Sequence, residues 1–253
     1  MPKSTDIPST PLVTVAISTL GDRVSTISLP EPHKDLSYLI LVQKPSKFER
    51  DFNRWDVTTI FLTSVGLSNS RNSALKLCQS PYLLFSDDDL NLDSNAILAL
   101  SRKLSEAPSL AFVSGWRAGR NHLPAAQTAR WFNMGHICAP ELLIRLEDVR
   151  ASSIEFDTLF GVGATYPSGE DYIFLCDMLA VGLKGRSFPI VTGNHDGLST
   201  GDLWDNPEII SARRAVLIRC FGRYSRVILF LYAFRHRRQL GGLYKAWLFA
   251  SHR

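Results

Sequence analysis

Apolar positions along this chain gather in short runs, and each run ends in small polar residues. Leu12 to Ser18 is β-branched and almost wholly apolar, which predicts a strand covered on both faces. It stops in the polar turn Thr19 to Arg23. Leu39 to Val42 repeats the pattern and ends in Gln43-Lys44-Pro45, and Val57 to Leu62 ends near Gly66. The next stretch predicts a helix, with Ser68 or Asn69 as its cap and Ala74, Leu75 and Cys78 on one face. A strand over Tyr82 to Phe85 follows, then an amphipathic helix over Asn95 to Leu104. Leu110 to Val113 predicts a strand ending in Ser114-Gly115-Trp116, and Trp131 to Ile137 another, with a helix near Pro140 to Leu146. Tyr166 to Tyr172 opens a helix that stops near Gly182, with Ser168-x-x-Asp171 as a capping box. Phe188 to Val191 predicts the last strand. Strands alternating with helices predict an α/β fold with a mostly parallel sheet, in which ligands collect at the strand C-termini.

One of those strand ends carries Asp87-Asp88-Asp89. Three like charges repel and are not buried unpaired, so they face solvent or surround a cation. A hard divalent cation takes one or two carboxylates together with phosphate oxygens. The triplet therefore predicts a strand-end metal site for a diphosphate; the plainer reading is an acidic loop. Ser18, Thr19, Gln43 and Gly66 fall at the same edge of the predicted sheet. A helix opening at Asn69 points free N–H groups there, where phosphate is favoured. Arg71 either adds a charge-assisted bond to phosphate or pairs with a surface acid. Asp171 and Glu170 open a helix, where acids offset the dipole or serve as general base and its neighbour. Trp116 either stacks on a sugar ring or belongs to the core. The polar loop 117–130, Trp116 and Gly163, the last at the end of the apolar, Gly-punctuated Phe156 to Gly163 segment, are placed on the acceptor side.

Composition changes the picture at one end. Past Glu208 there is no Asp or Glu, while ten of the 28 Lys and Arg fall there. The remaining 18 face all 24 acids in residues 1–208, so the body is about six charges negative. An acidic body argues against nucleic acid. The segment 209–253 mixes Arg with Leu, Ile, Phe and Tyr and reads as a basic amphipathic helical tail on an anionic bilayer, or as helices packed on the body. No apolar run approaches the ~20 residues needed to span a membrane. Met1 to Pro11 is polar, without the apolar core of a secretory signal, and four scattered cysteines lack metal spacing. These features predict a cytoplasmic protein, peripheral on the cytosolic membrane face. The expected division is a flexible leader at 1–10, a catalytic domain at 11–208 and the tail at 209–253.

Four pieces, taken in order, resemble the family 2 glycosyltransferases of GT-A fold. They are the strand Val13 to Ser18; Gly66-x-Ser68-x-x-Arg71-Asn72 ahead of a strand and Asp87-x-Asp89; Gly169-Glu170-Asp171 at a helix start; and His195 after the last strand. The resemblance implies a Rossmann-like GT-A domain that moves a sugar, with inversion, from a nucleotide-diphosphate sugar to a saccharide or lipid-linked acceptor. A UDP-sugar is the expected donor, Mn²⁺ or Mg²⁺ the expected ion, and cell-surface polysaccharide synthesis the expected setting. It further implies that Asp89 and His195 hold the metal, that Asp87 or Asp88 meets the donor ribose or sugar, and that Arg71 touches the donor. Asp171 becomes the base and Glu170 orients the acceptor. The family's second strand usually ends in an Asp that reads the nucleobase; Gln43 stands there instead.

Two other classes stay open on sequence alone. A nucleotidyltransferase would carry a Gly-rich, Arg-containing loop after the first strand, which Thr19 to Arg23 matches poorly. A membrane-docked, non-catalytic sugar- or nucleotide-binding protein would bind without turnover.

Overall fold

The computed structural model describes residues 10–44, 51–118, 125–194 and 203–251. The first half is a run of parallel strands. Strands β1 (Val13–Leu20), β2 (Leu36–Gln43) and β3 (Val57–Leu62) lead to helix α1 (Leu67–Leu77) and strand β4 (Tyr82–Asp87). β1 lies between β2 and β4, parallel to both, with Leu20 opposite Gln43 and Ser18 opposite Asp87. The parallel register is what brings these polar strand ends together.

The second half is mixed. After the short β5 (Asn91–Leu92) come α2 (Ser94–Ser105), β6 (Phe112–Arg117), β7 (Gln127–Thr128), β8 (Leu142–Arg145) and α3 (Leu146–Ala151). Helix α4 (Glu170–Ala180) and β9 (Gly185–Asn194) close the body. Among the described residues the sheet runs β3-β2-β1-β4-β8-β6-β9-β5, with β7 paired to β9. β8 inserts antiparallel between β4 and β6, while β6 and β9 are parallel.

Alternation along the strands splits the core into two layers. Leu39, Leu41, Leu83 and Phe85 face a cluster completed by Ala74 and Leu75 of α1 and Phe174 and Met178 of α4. Tyr38, Ile40, Val42, Tyr82 and Leu84 face the other side, covered by Ile97, Leu100 and Leu104 of α2. Asp93 caps α2 by accepting from the N–H groups of Asn95 and Ala96 at 2.9 and 3.1 Å.

Four local expectations are corrected. Trp131 to Ile137 is not a strand: the Asn133 side chain accepts from the Arg130 N–H and donates to the Thr128 carbonyl, which holds a turn. Pro140 lies in a single 3₁₀ turn, Ala139–Glu141, and Leu142 to Ile144 form β8 rather than a helix. A three-residue apolar run carries no periodicity that separates the two. Ser168 does not cap α4; Gly169 does, at φ +102°, without a side-chain bond. Nor does Ser68 or Asn69 cap α1, which starts after Gly66 at φ +111°.

The segment after Glu208 is not one amphipathic helix. It folds as α5 (Pro207–Phe221), α6 (Ser225–Arg235) and α7 (Leu243–Ser251). Val216 of α5 packs on Phe160 and Ile173 of the body. A Cβ at Gly169 would lie 2.2 Å from Val216, so α5 seats directly against the start of α4. Leu217, Leu229, Ala233, Leu240, Ala246 and Phe249 make a small core of their own.

Candidate active site

The carboxylates of the triplet have three different environments. Asp88 is buried: Thr19 Oγ1 donates to it at 2.7 Å, and the Arg23 guanidinium pairs with its other oxygen. Asp89 is the open one, 48% exposed, with Arg23 Nη2 at 3.5 Å. Asp87 lies 3.4 Å from Arg71 Nη2. Arg23 was not among the residues singled out from sequence, although its place in the turn after the first strand marks it.

Arg71 is the hub of a second group. Its side chain is 3% exposed and lies over the Phe156 ring at 5.5 Å. Nη1 donates to Glu170 Oε1 at 3.0 Å and to Asp171 Oδ1 at 2.6 Å. The other Asp171 oxygen accepts the Ala139 N–H at 3.0 Å. Two fixed donors, one on each oxygen, set the orientation of the Asp171 carboxylate. With all three carboxylates ionised, the guanidinium would leave the cluster two charges negative. Burial alone would lower the Arg71 pKa, but Asp171, Asp87 and Glu170 outweigh it and keep the guanidinium charged. Burial first, and then Asp171 beside it, push the Glu170 carboxyl up to about 7, against the opposing pull of Arg71.

That shift has a sign that can be measured. Between its ordinary 4.5 and about 7, folded Glu170 keeps a proton that the unfolded chain releases. Its contribution to stability is therefore lost as pH rises through that window. The wild-type Tm should fall between pH 6 and pH 8 by more than the Tm of Glu170→Gln does. Equal slopes for the two proteins would show that Glu170 is already ionised at pH 6.

The rest of the Gly66 to Asn72 motif binds protein. The Gly66 N–H donates to Gln43 Oε1 at 2.6 Å, Ser68 Oγ to the Phe160 carbonyl at 2.6 Å, and Ser18 Oγ to Ser70 Oγ at 2.8 Å. Asn72 brackets Phe156, donating to its carbonyl at 2.9 Å and accepting its N–H at 2.7 Å. Gly161, at φ +105°, leaves room where a Cβ would approach Ser68 Oγ and the Glu170 side chain at 3.1–3.3 Å. Gly163 lies against Gly66 in the same seam. The motif thus ties the ends of β1 and β2 to the 156–163 loop and to the start of α4.

Trp116 is corrected. It is 3% exposed, with one face covered by His136 at 4.9 Å and 8°, so no sugar ring stacks on it. His195 lies outside the described residues. Among those described, no three His, Cys, Asp or Glu side chains come together to hold a metal by themselves. The chemistry of the donor set still fits Mn²⁺ or Mg²⁺ bound partly through a diphosphate, because Asp89 is open and Asp87 adjoins it.

The family model for glycosyl transferase family 2 matches residues 42–153, which carry Gln43, Arg71 and the Asp triplet. No characterised protein matches the chain by sequence alone. Solved structures share its fold. TarS 1-349 of S. aureus superposes with a TM-score of 0.61 at 12% identity, over 89% of this chain and 72% of that one. The same protein in complex with UDP-GlcNAc gives 0.59 at 14% identity, over 89% and 72%. The mannosyltransferase PcManGT from Pyrobaculum calidifontis, in complex with GDP-Man and Mn²⁺, gives 0.58 at 14% identity, over 95% and 74%. A segment matching the family 2 glycosyl transferase model, residues 42–153, is thus set in a chain that shares the fold of these glycosyltransferases.

Proposed function

We propose that the chain transfers a sugar, with inversion, from a nucleoside-diphosphate sugar to a hydroxyl of a saccharide or lipid-linked acceptor. A UDP-sugar is the expected donor and cell-surface polysaccharide synthesis the expected setting. The observation that carries this reading is Asp171, whose carboxylate is oriented by Arg71 and the Ala139 N–H beside the edge that bears the Asp triplet.

In this reading Asp171 accepts the proton of the acceptor hydroxyl as that oxygen attacks the anomeric carbon. The bond from the anomeric carbon to the diphosphate oxygen breaks, and its electron pair leaves with the nucleotide. Charge builds on the diphosphate, and a divalent cation, when bound, neutralises it there. Asp89 would hold that cation, with His195 as a further ligand. Asp87 and the Asp88–Arg23 pair would order the donor's ribose or sugar. Ser18, Thr19 and Gln43 shape the floor of the donor site through the bonds they make to the protein. Glu170, beside Asp171, would orient the acceptor, with Gly163 at its margin.

Donor hydrolysis and transfer, screened over UDP-, GDP- and dTDP-sugars with Mn²⁺, test the proposal. Asp89→Ala should abolish stimulation by Mn²⁺ while leaving the fold intact, because Asp89 is largely exposed. Activity that survives both Asp89→Ala and Asp171→Asn would sink it.

A further inference from the structure

Helix α6 has two apolar faces, which a helix packed on one side does not need. Its inner face, Leu229 and Ala233, is buried in the small core with Leu217, Leu240 and Phe249. Its outer face carries Val227, Phe230, Leu231 and Phe234, spaced i, i+3, i+4 and i+7, each between 51% and 65% exposed. The outward residues of α7 continue the theme: Leu243, Tyr244 and Trp247 are all more than half exposed.

Basic residues border these apolar positions. Arg223, Arg226, Arg235, Arg238 and Lys245 are exposed, and residues 209–253 hold no acid. Two guanidiniums lie on the aromatic rings themselves, Arg223 over Tyr224 at 4.7 Å and Arg237 over Phe234 at 4.8 Å. Arg219 belongs elsewhere, since it pairs with Asp157 and Asp177 and fastens α5 to the body.

We propose that the outer faces of α6 and α7 form a docking surface for an anionic lipid bilayer. The helices would lie in the interface with the α6 stripe among the acyl chains and the arginines at the phosphates. Charge complementarity selects this occupant. A second copy docked face to face would set arginine against arginine, with no acid from 209 onward to pair with them. Spanning is excluded for these elements: no described helix is long and apolar enough to cross a membrane. The eleven residues of α6 rise only about 16 Å, roughly half the hydrocarbon thickness. This deepens the expectation drawn from composition by moving the contact off α5 and onto one face of α6 and α7. It does not depend on the transfer chemistry.

Vesicle flotation of the full chain tests it, with phosphatidylcholine vesicles alone or containing one-third phosphatidylglycerol. The protein should float with the anionic vesicles and not with the neutral ones, and high salt should release it. The double variant Phe230→Ser/Phe234→Ser should weaken binding about tenfold or more. Arg226→Gln/Arg238→Gln should weaken it and flatten its salt dependence. Circular dichroism and donor hydrolysis, read without lipid, should be unchanged in both, so failure of docking and failure of the transferase reading are separable. Absence of flotation, or equal binding to neutral vesicles, overturns the proposal. So does a dimer, seen by light scattering without lipid, that Phe230→Ser/Phe234→Ser dissociates.

Discussion

Asp171→Asn is expected to lower kcat for sugar transfer by about 10²–10⁴-fold, with little change in donor affinity. The substitution keeps the size of the side chain but removes the proton acceptor. Asp171 uses one oxygen for Arg71 and the other for the Ala139 N–H, and both partners are donors. An Asn oxygen can serve only one of them and turns its own NH₂ toward the other. The replacement therefore loses basicity and one of its two anchors together. Calorimetry of nucleotide-sugar binding should register neither loss, because neither partner belongs to the Asp triplet. A kcat within about threefold of wild type would move the base elsewhere, with Glu170 the first alternative.

Arg71→Lys carries the second large effect. Arg71→Ala is the less useful variant, since three carboxylates left without their cation should cost about 3–5 kcal/mol and leave little folded protein. Lysine keeps the charge, but one ammonium cannot hold Glu170, Asp171 and Asp87 through two separate nitrogens as the guanidinium does. A carboxylate displaced by about 1 Å loses on the order of 10²-fold in rate. The expected result is a fall in kcat of that size with donor KM near wild type. The family resemblance makes a different forecast: an arginine that touches the donor would raise donor KM. The split between kcat and KM decides between the two roles, and burial of the side chain favours the first.

How legible this was differs from residue to residue. The first four strands were readable because each is a short apolar run that ends in polar residues, and β1, β2 and β4 are buried on both faces. Their polar ends were readable as a shared edge because right-handed parallel connections put every strand C-terminus on the same side. The antiparallel insertion of β8 was not, since Leu142 to Ile144 is too short to show a period. Trp116 at a strand end looked available to a sugar; only packing put His136 over its face.

Sequence alone determined the class of fold and the sheet edge at which the polar strand ends gather. Those follow from local patterning and from the order of a few motifs along the chain. It did not determine the roles within the Asp triplet, because three adjacent aspartates differ only in what approaches them from afar. Thr19 reaches Asp88 across 69 positions, and Arg71 reaches Glu170 and Asp171 across 99 and 100. The last anchor of Asp171 is a backbone N–H, a group every residue but proline carries, so no pattern could mark Ala139. The tail makes the same point: composition showed that it is basic and apolar, and only tertiary packing decided which apolar face is spent inside and which one remains.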